Sequence, residues 1–227
     1  MLNNWNKKKK YHEILFFTNG VIDKIVFNRP YYRNSFSPLT IFETINALNI
    51  SLNDNRIKIV IFSGFGNLSF CSGGDQNYKT QEGYTDSSGV SRLNVLDLQR
   101  LIRSSPKPTI ALIKGSSVGG GNILQLLCDL TIASDNSYFK QTGPIVGSFD
   151  GGFGCSYLSR VIGNKRAKDF WFCCRKINSY QALDIGMINY VFPLKDLEQE
   201  TLKICDSLLN HSMISLKCLK ASLNADC

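Results

Sequence analysis

Three clusters of small and polar residues could carry chemistry in this chain. The first is Ser72-Gly73-Gly74-Asp75-Gln76, and the second is Ser117-Val118-Gly119-Gly120-Gly121. Glycine permits positive φ and lets a ligand come close to the backbone. Each cluster follows an apolar, strand-like run, so its N–H groups sit at a strand end or a helix start, where acceptors are lacking. Two such donors converging on one carbonyl oxygen would stabilise an enolate or a tetrahedral oxyanion, often the largest single contribution in acyl chemistry. Either cluster alone reads as turn or close-packing glycine; the pair, each after a strand, reads as readily as an oxyanion site. Neither is a phosphate loop, because G-x-x-x-x-G-K-S/T and G-x-G-x-x-G are both absent. The third cluster, residues 141–152, is polar and glycine-rich and holds one carboxylate, Asp150, just before a helical pattern. Asp150 is there either a helix N-cap or an acid/base group.

The elements that must hold these clusters alternate between strand and helix. Strands are expected over residues 13–16 and 21–27, with the hairpin signal Asn19-Gly20 between them. Ser37-Pro38 opens a helix to about residue 52, with proline near its first position. A strand follows over 58–63, and residues 64–95 read as a long polar loop. A helix is expected over 94–103, a strand over 109–113 after Pro106-Lys107-Pro108, and an apolar helix to about 128. Short strands at 130–133, 137–140 and 188–192 alternate with helices at 153–162, 165–173 and 179–183. Helices at 197–209 and 213–223 close the chain. The class is α/β.

Composition narrows the function. A chain of 227 residues with 43% hydrophobic and 19% charged residues supports one sizeable core and excludes disorder. No apolar run is long enough to span a bilayer as a helix. The net charge of +8 reads as an Asn- and Lys-rich composition or as a signal for an anionic partner. The dense basic run Lys7-Lys8-Lys9-Lys10 falls in what is expected to be a mobile tail. No helix carries a basic stripe, so nucleic acid is not the expected partner. Eight cysteines lie mostly in apolar segments without metal-ligand spacing, and there are only two histidines. Reduced, buried thiols in a reducing compartment are expected, and no metal. The polar start of the chain lacks an apolar h-region, so no secretory signal is expected.

These clusters together resemble the crotonase (enoyl-CoA hydratase/isomerase) superfamily. The resemblance is carried by Phe70-Cys71-Ser72-Gly73-Gly74-Asp75-Gln76, Val118-Gly119-Gly120-Gly121, Gln141-Thr142-Gly143-Pro144 and Val146-Gly147-Ser148-Phe149-Asp150-Gly151-Gly152. Asn28-Arg29-Pro30, Arg33-Asn34, Pro106-Lys107-Pro108 and Asn224-Ala225-Asp226-Cys227 also fit. It spans nearly the whole chain from about residue 13. Within the superfamily, residues 141–152 are similar to the branch that closes a second ring on o-succinylbenzoyl-CoA in menaquinone and phylloquinone biosynthesis. Family hydratases use two glutamates, and these positions fall at Ile123 and Gly143, neither of which moves a proton.

The resemblance implies a crotonase-type spiral of ββα units with C-terminal helices. It divides the chain into a basic tail at 1–12, a core at 13–195 and a C-terminal helical region at 196–227. It implies an intramolecular Claisen condensation, a lyase-class reaction. The N–H groups of Gly74 and Gly120 would hold the thioester oxygen, Asp150 would act as acid, and Tyr84 would bind the succinyl portion. Alone, Tyr84 reads as a surface aromatic and Trp171 as a core aromatic. One branch carries an aspartate where this chain has Gly143; the other has glycine and takes hydrogencarbonate as the base. Gly143 implies the second, with hydrogencarbonate held by Gln141, Thr142, Gly143, Ser148 and Trp171. CoA and acyl contacts fall on Arg33, on the backbone of Ser72, Gly73, Gly74, Asp75 and Gln76, and on Ser116, Ser117, Val118, Gly119 and Gly120, with Thr142, Ser148 and Lys79 beside them. Related chains continue past the Asn224-Ala225-Asp226-Cys227 motif with a segment that crosses to a neighbouring subunit, so the last segment is expected to be truncated. Trimers or paired trimers are the implied assembly, in a plastid stroma or a bacterial cytoplasm. Other crotonase-type chemistry, or an inactive binding protein, are the competing expectations.

Overall fold

The computed structural model describes residues 4–80, 83–84, 94–149 and 152–225. In chain order its strands are β1 (Asn6–Lys10), β2 (Ile14–Thr18), β3 (Ile22–Phe27), β4 (Ile59–Gly64), β5 (Ser69–Cys71), β6 (Lys79–Thr80) and β7 (Gly83–Tyr84). They continue as β8 (Thr109–Ile113), β9 (Ser116–Val118), β10 (Leu130–Ser134), β11 (Tyr138–Lys140), β12 (Lys176–Asn178) and β13 (Tyr190–Phe192). The helices are α1 (Pro38–Asn53), α2 (Val95–Ser104), α3 (Gly120–Leu126), α4 (Gly154–Ile162), α5 (Asn164–Phe172), α6 (Ser179–Asp184), α7 (Leu197–Leu209) and α8 (Met213–Leu223).

Two sheets organise the site. The larger runs β1-β2-β3-β4-β8-β10-β13, and the smaller runs β12-β11-β9-β5. From β3 to β13 the larger sheet is parallel. β4 and β8 are buried along their whole length, as their unbroken apolar sequence requires of strands covered on both faces. At the turn between β2 and β3, Gly20 has φ +92° and the Asn19 side chain accepts from the N–H groups of Val21 and Ile22. α1 starts at a capping box: Thr40 N–H donates to Ser37 Oγ and Ser37 N–H donates to Thr40 Oγ1, with Pro38 at the first helical position. The α/β class and the mixture of sheet and helix agree with the expectation from sequence. Among the described residues no helix is long and apolar enough to cross a membrane.

Four local expectations are corrected. Lys7–Lys10 is not a loose tail but most of β1, paired antiparallel with β2. Lys8 is held there by Asp23 at 2.8 Å and Asp54 at 3.3 Å, while the other lysines blunt the sheet edge. The loop expected over 64–95 contains β5, whose Ser69, Phe70 and Cys71 are all buried. β9 and β12 are two further strands that the sequence pattern does not show. Three-residue strands bounded by Gly, Ser and Lys carry too little alternation to be recognised.

The thiols sort by burial. Cys71, Cys128, Cys174 and Cys205 are buried, while Cys155, Cys173 and Cys218 are exposed. Burial pushes the thiols of Cys71 and Cys205 up to about 12 and raises that of Cys128 as well. Native alkylation at neutral pH should therefore label Cys155, Cys173 and Cys218 and spare Cys71, Cys128 and Cys205 until the chain unfolds. Peptide mass mapping checks this, and labelling of Cys71 at the rate of Cys218 would contradict the packing.

Candidate active site

β5 and β9 lie side by side and parallel, with Ser69 opposite Ser116 and Cys71 opposite Ser117. The two glycine clusters therefore leave the smaller sheet at the same end and meet. The approach is close enough to exclude side chains. Gly73 has φ +90°, and a Cβ there would stand 3.0 Å from the Gly120 nitrogen and 3.2 Å from the Val118 carbonyl oxygen.

Two amides are left for a ligand. Phe36 forms a parallel bridge with Gly74, in which Phe36 N–H donates to the Gly73 carbonyl at 2.8 Å and Asp75 N–H donates to the Phe36 carbonyl at 3.0 Å. A residue flanked in this way turns its own N–H to the opposite side. Gly120 is the first residue of α3, where N–H groups have no intrahelical acceptor. Among the described residues neither amide meets another acceptor. A carbonyl oxygen between them would receive two preorganised donors.

Both glycines open on a cavity of about 170 Å³. Its apolar wall includes Phe36, Val95, Leu96 and Ile123. A polar corner is made by Gln141, Thr142, Gly143, Ser148 and Trp171. Gln141 is 2% exposed and Trp171 8%. The indole Nε1 of Trp171 is buried and has no hydrogen-bond partner among the described residues. A buried donor without an acceptor costs free energy, about 1–3 kcal/mol, and the residue that carries it lines the polar corner of the cavity.

Most of the residues singled out from sequence come together here. Ser72, Gly73, Gly74, Gln76, Gly119, Gly120, Gln141, Thr142, Gly143, Ser148 and Trp171 all line the one cavity. Several do not. The Asp75 side chain is buried and paired with Arg29 at 2.8 Å, so only its backbone belongs to the glycine loop. Ser116 and Ser117 are buried within β9; Ser116 Oγ donates to the Leu68 carbonyl, and Val118 meets Gly73 through its carbonyl. Arg33 is exposed, at φ +52°, in the turn after Pro30–Tyr32, outside the cavity lining. Asp150 lies outside the described residues, as do the side chains of Tyr84 and Lys79.

Gly143 needs a correction. In place of the aspartate of the other branch, a glycine suggests vacated side-chain space. A Cβ there would stand 2.8 Å from the Ser148 carbonyl oxygen, because Ser148 N–H donates to the Gly143 carbonyl at 2.8 Å and closes the turn. An aspartate at 143 would have to displace this turn.

Sequence reasoning missed Phe36, Gln99 and the Glu13–Arg29–Asp75 cluster. Gln99 is 2% exposed, lines the cavity and accepts from Phe153 N–H at 3.2 Å. A buried polar residue on the inner face of an amphipathic helix was the available signal for it.

Comparison with known proteins agrees with this geometry. The enoyl-CoA hydratase/isomerase family model matches residues 17–227. An enoyl-CoA hydratase from Bacillus anthracis superposes with a TM-score of 0.85 at 25% identity, covering 93% of this chain and 82% of that one. An enoyl-CoA hydratase/isomerase from Xanthobacter autotrophicus Py2 gives 0.86 at 28% identity, with 96% and 80% covered. An enoyl-CoA hydratase from Mycobacterium avium subsp. paratuberculosis K-10 shares the fold, at 0.85 and 23% identity over 96% and 83%.

Proposed function

The chain belongs to the enoyl-CoA hydratase/isomerase family, and on that premise we propose that it is a 1,4-dihydroxy-2-naphthoyl-CoA synthase, closing a ring on o-succinylbenzoyl-CoA. The observation that carries this is the polar corner. It is lined by Gln141, Thr142, Ser148 and Trp171, whose buried indole N–H has no partner among the described residues, in the cavity that Gly74 and Gly120 also line. Positions 123 and 143, where family hydratases place glutamates, are Ile and Gly here, and both line that cavity.

Ring closure needs three things: loss of a proton α to a carbonyl, a stabilised enolate, and a stabilised alkoxide before water leaves. The N–H groups of Gly74 and Gly120 hold the thioester oxygen as charge develops on it. Trp171 Nε1–H, the Gln141 amide and the hydroxyls of Thr142 and Ser148 suit a small planar anion, offering N–H and O–H donors from one side of the cavity. Hydrogencarbonate bound there supplies a carboxylate-like base. Phe36, Val95, Leu96 and Ile123 exclude water from the acyl group, which strengthens the donors' effect. In this proposal Asp150 donates the proton at the condensing carbonyl oxygen, Tyr84 holds the succinyl arm, and Arg33 and Lys79 face the CoA phosphates. A trimer or a pair of trimers is proposed on the same ground. The exposed Phe172, Tyr180 and Leu183 supply apolar surface for such contacts.

Enoyl-CoA hydration is the second reading, favoured by the names of the solved structures. Two assays separate them. The purified chain should convert o-succinylbenzoyl-CoA to the aromatic bicyclic product, followed by its near-ultraviolet absorbance, and should not hydrate crotonyl-CoA. Crotonyl-CoA hydration without ring closure would replace the proposal with the second reading.

A further inference from the structure

We propose that Arg29, acting through Asp75, is a positioning residue that fixes the direction of the Gly74 N–H. This rests on the reading of Gly74 and Gly120 as donors to a thioester oxygen. The Arg29 side chain is 8% exposed and is gripped on three sides. Its Nη2 donates to Asp75 Oδ2 at 2.8 Å, its Nη1 donates to the Ser35 carbonyl at 2.7 Å, and its Nε lies 3.2 Å from Glu13 Oε1. The guanidinium also lies over the Tyr32 ring, 4.7 Å from its centroid. Asp75 spends its other oxygen on the Asn77 N–H at 3.1 Å. Glu13 in turn accepts from Ser37 and Thr40, the two capping residues of α1.

These contacts tie the oxyanion loop to the segment that runs from Arg29 to Phe36. Gly74 has no side chain, so nothing of its own holds its peptide plane. Its neighbour Asp75 is fixed by the Arg29 fork, and Gly73 and Asp75 are tied by backbone bonds to Phe36. Phe36 is seven residues after Arg29 on the same segment. Its ring sits against Gly120, where a Cβ would meet it at 2.8 Å. One segment therefore aligns both donors: Arg29 and the Phe36 backbone set the first, and the Phe36 ring abuts the second. A planar, five-donor guanidinium does this in a way that a lysine ammonium cannot.

The test uses Asp75→Asn, which keeps shape and removes charge, and Arg29→Lys, which keeps charge and removes the fork. Lys220→Met, which breaks the Lys220–Asp129 pair outside the cavity, is the stability control. The readouts are kcat, KM and the carbonyl stretch of bound hexanoyl-CoA labelled with 13C at the thioester, seen by difference infrared spectroscopy. In the unsubstituted protein the band should fall below its value in water, because two donors polarise the bond. Both site variants should return it part-way and lower kcat about 10–100-fold with KM within about threefold, while Lys220→Met should lose thermal stability and keep the band. If both site variants keep the shifted band and kcat, Arg29 and Asp75 are structural only and the proposal is overturned. If the unsubstituted protein shows no shift, the donor reading falls and takes the proposal with it. A shifted band without ring closure of o-succinylbenzoyl-CoA would overturn the assigned reaction and leave the positioning role standing.

Discussion

Gly120→Ala is expected to lower kcat roughly 10²-fold, about 3 kcal/mol of transition-state stabilisation, by misplacing an amide it keeps, with KM changed only a few-fold. The added methyl would stand 2.8 and 3.0 Å from two atoms of the Phe36 ring. Gly120 does not have a positive φ, so the backbone itself accepts alanine. The strain falls on Phe36, which is 6% exposed and forms part of the cavity wall. Its backbone is bonded to Gly73 and Asp75, so a displaced ring pulls on the Gly74 amide as well. One methyl group thus disturbs both donors. An interaction made only as charge develops shows in kcat rather than in KM. Steady-state kinetics alongside circular dichroism of the folded variant check this. An unchanged kcat in a folded protein would show that the contact of the Phe36 ring with Gly120 does not set the geometry of the two donors.

Trp171→Phe should raise the hydrogencarbonate concentration for half-maximal rate roughly 10–100-fold, matching a lost hydrogen bond to a charged group worth about 1.5–3 kcal/mol. The ring stays in the core and only the indole N–H and its fused ring are lost. Because Nε1 has no partner among the described residues, its removal breaks no internal hydrogen bond. The fold therefore loses only the packing of a smaller aromatic, on the order of 1–2 kcal/mol. Saturating hydrogencarbonate should recover most of the original kcat. An anion requirement identical in the two proteins would remove Trp171 from the anion corner.

How much of this was legible in the sequence differs by residue. The glycine clusters were legible because each ends an apolar strand, and a strand end leaves amides free. Their convergence was not, since it depends on β5 and β9 being neighbours, and three-residue strands have no periodicity to read. Residues 141–148 were legible as one polar group by resemblance. The orphaned Nε1 of Trp171 was not, because burial without a partner is a property of three-dimensional packing. Asp75 was placed correctly in the loop and its side chain was not followed: its partner Arg29 is 46 positions away, and a long-range ion pair leaves no local trace. Lys8 shows the same limit from the other side. Composition read it as part of a solvated run, but the buried carboxylate of Asp23 draws it into the fold.

The anion-assisted ring closure is tested most directly by turnover of o-succinylbenzoyl-CoA in buffer stripped of carbon dioxide, with hydrogencarbonate then added back. The expected result is a rate near background in the stripped buffer, recovering saturably as hydrogencarbonate is restored, with chloride at equal ionic strength giving no recovery. Equal turnover with and without hydrogencarbonate would contradict the assignment of the Gln141–Trp171 corner as the seat of the base.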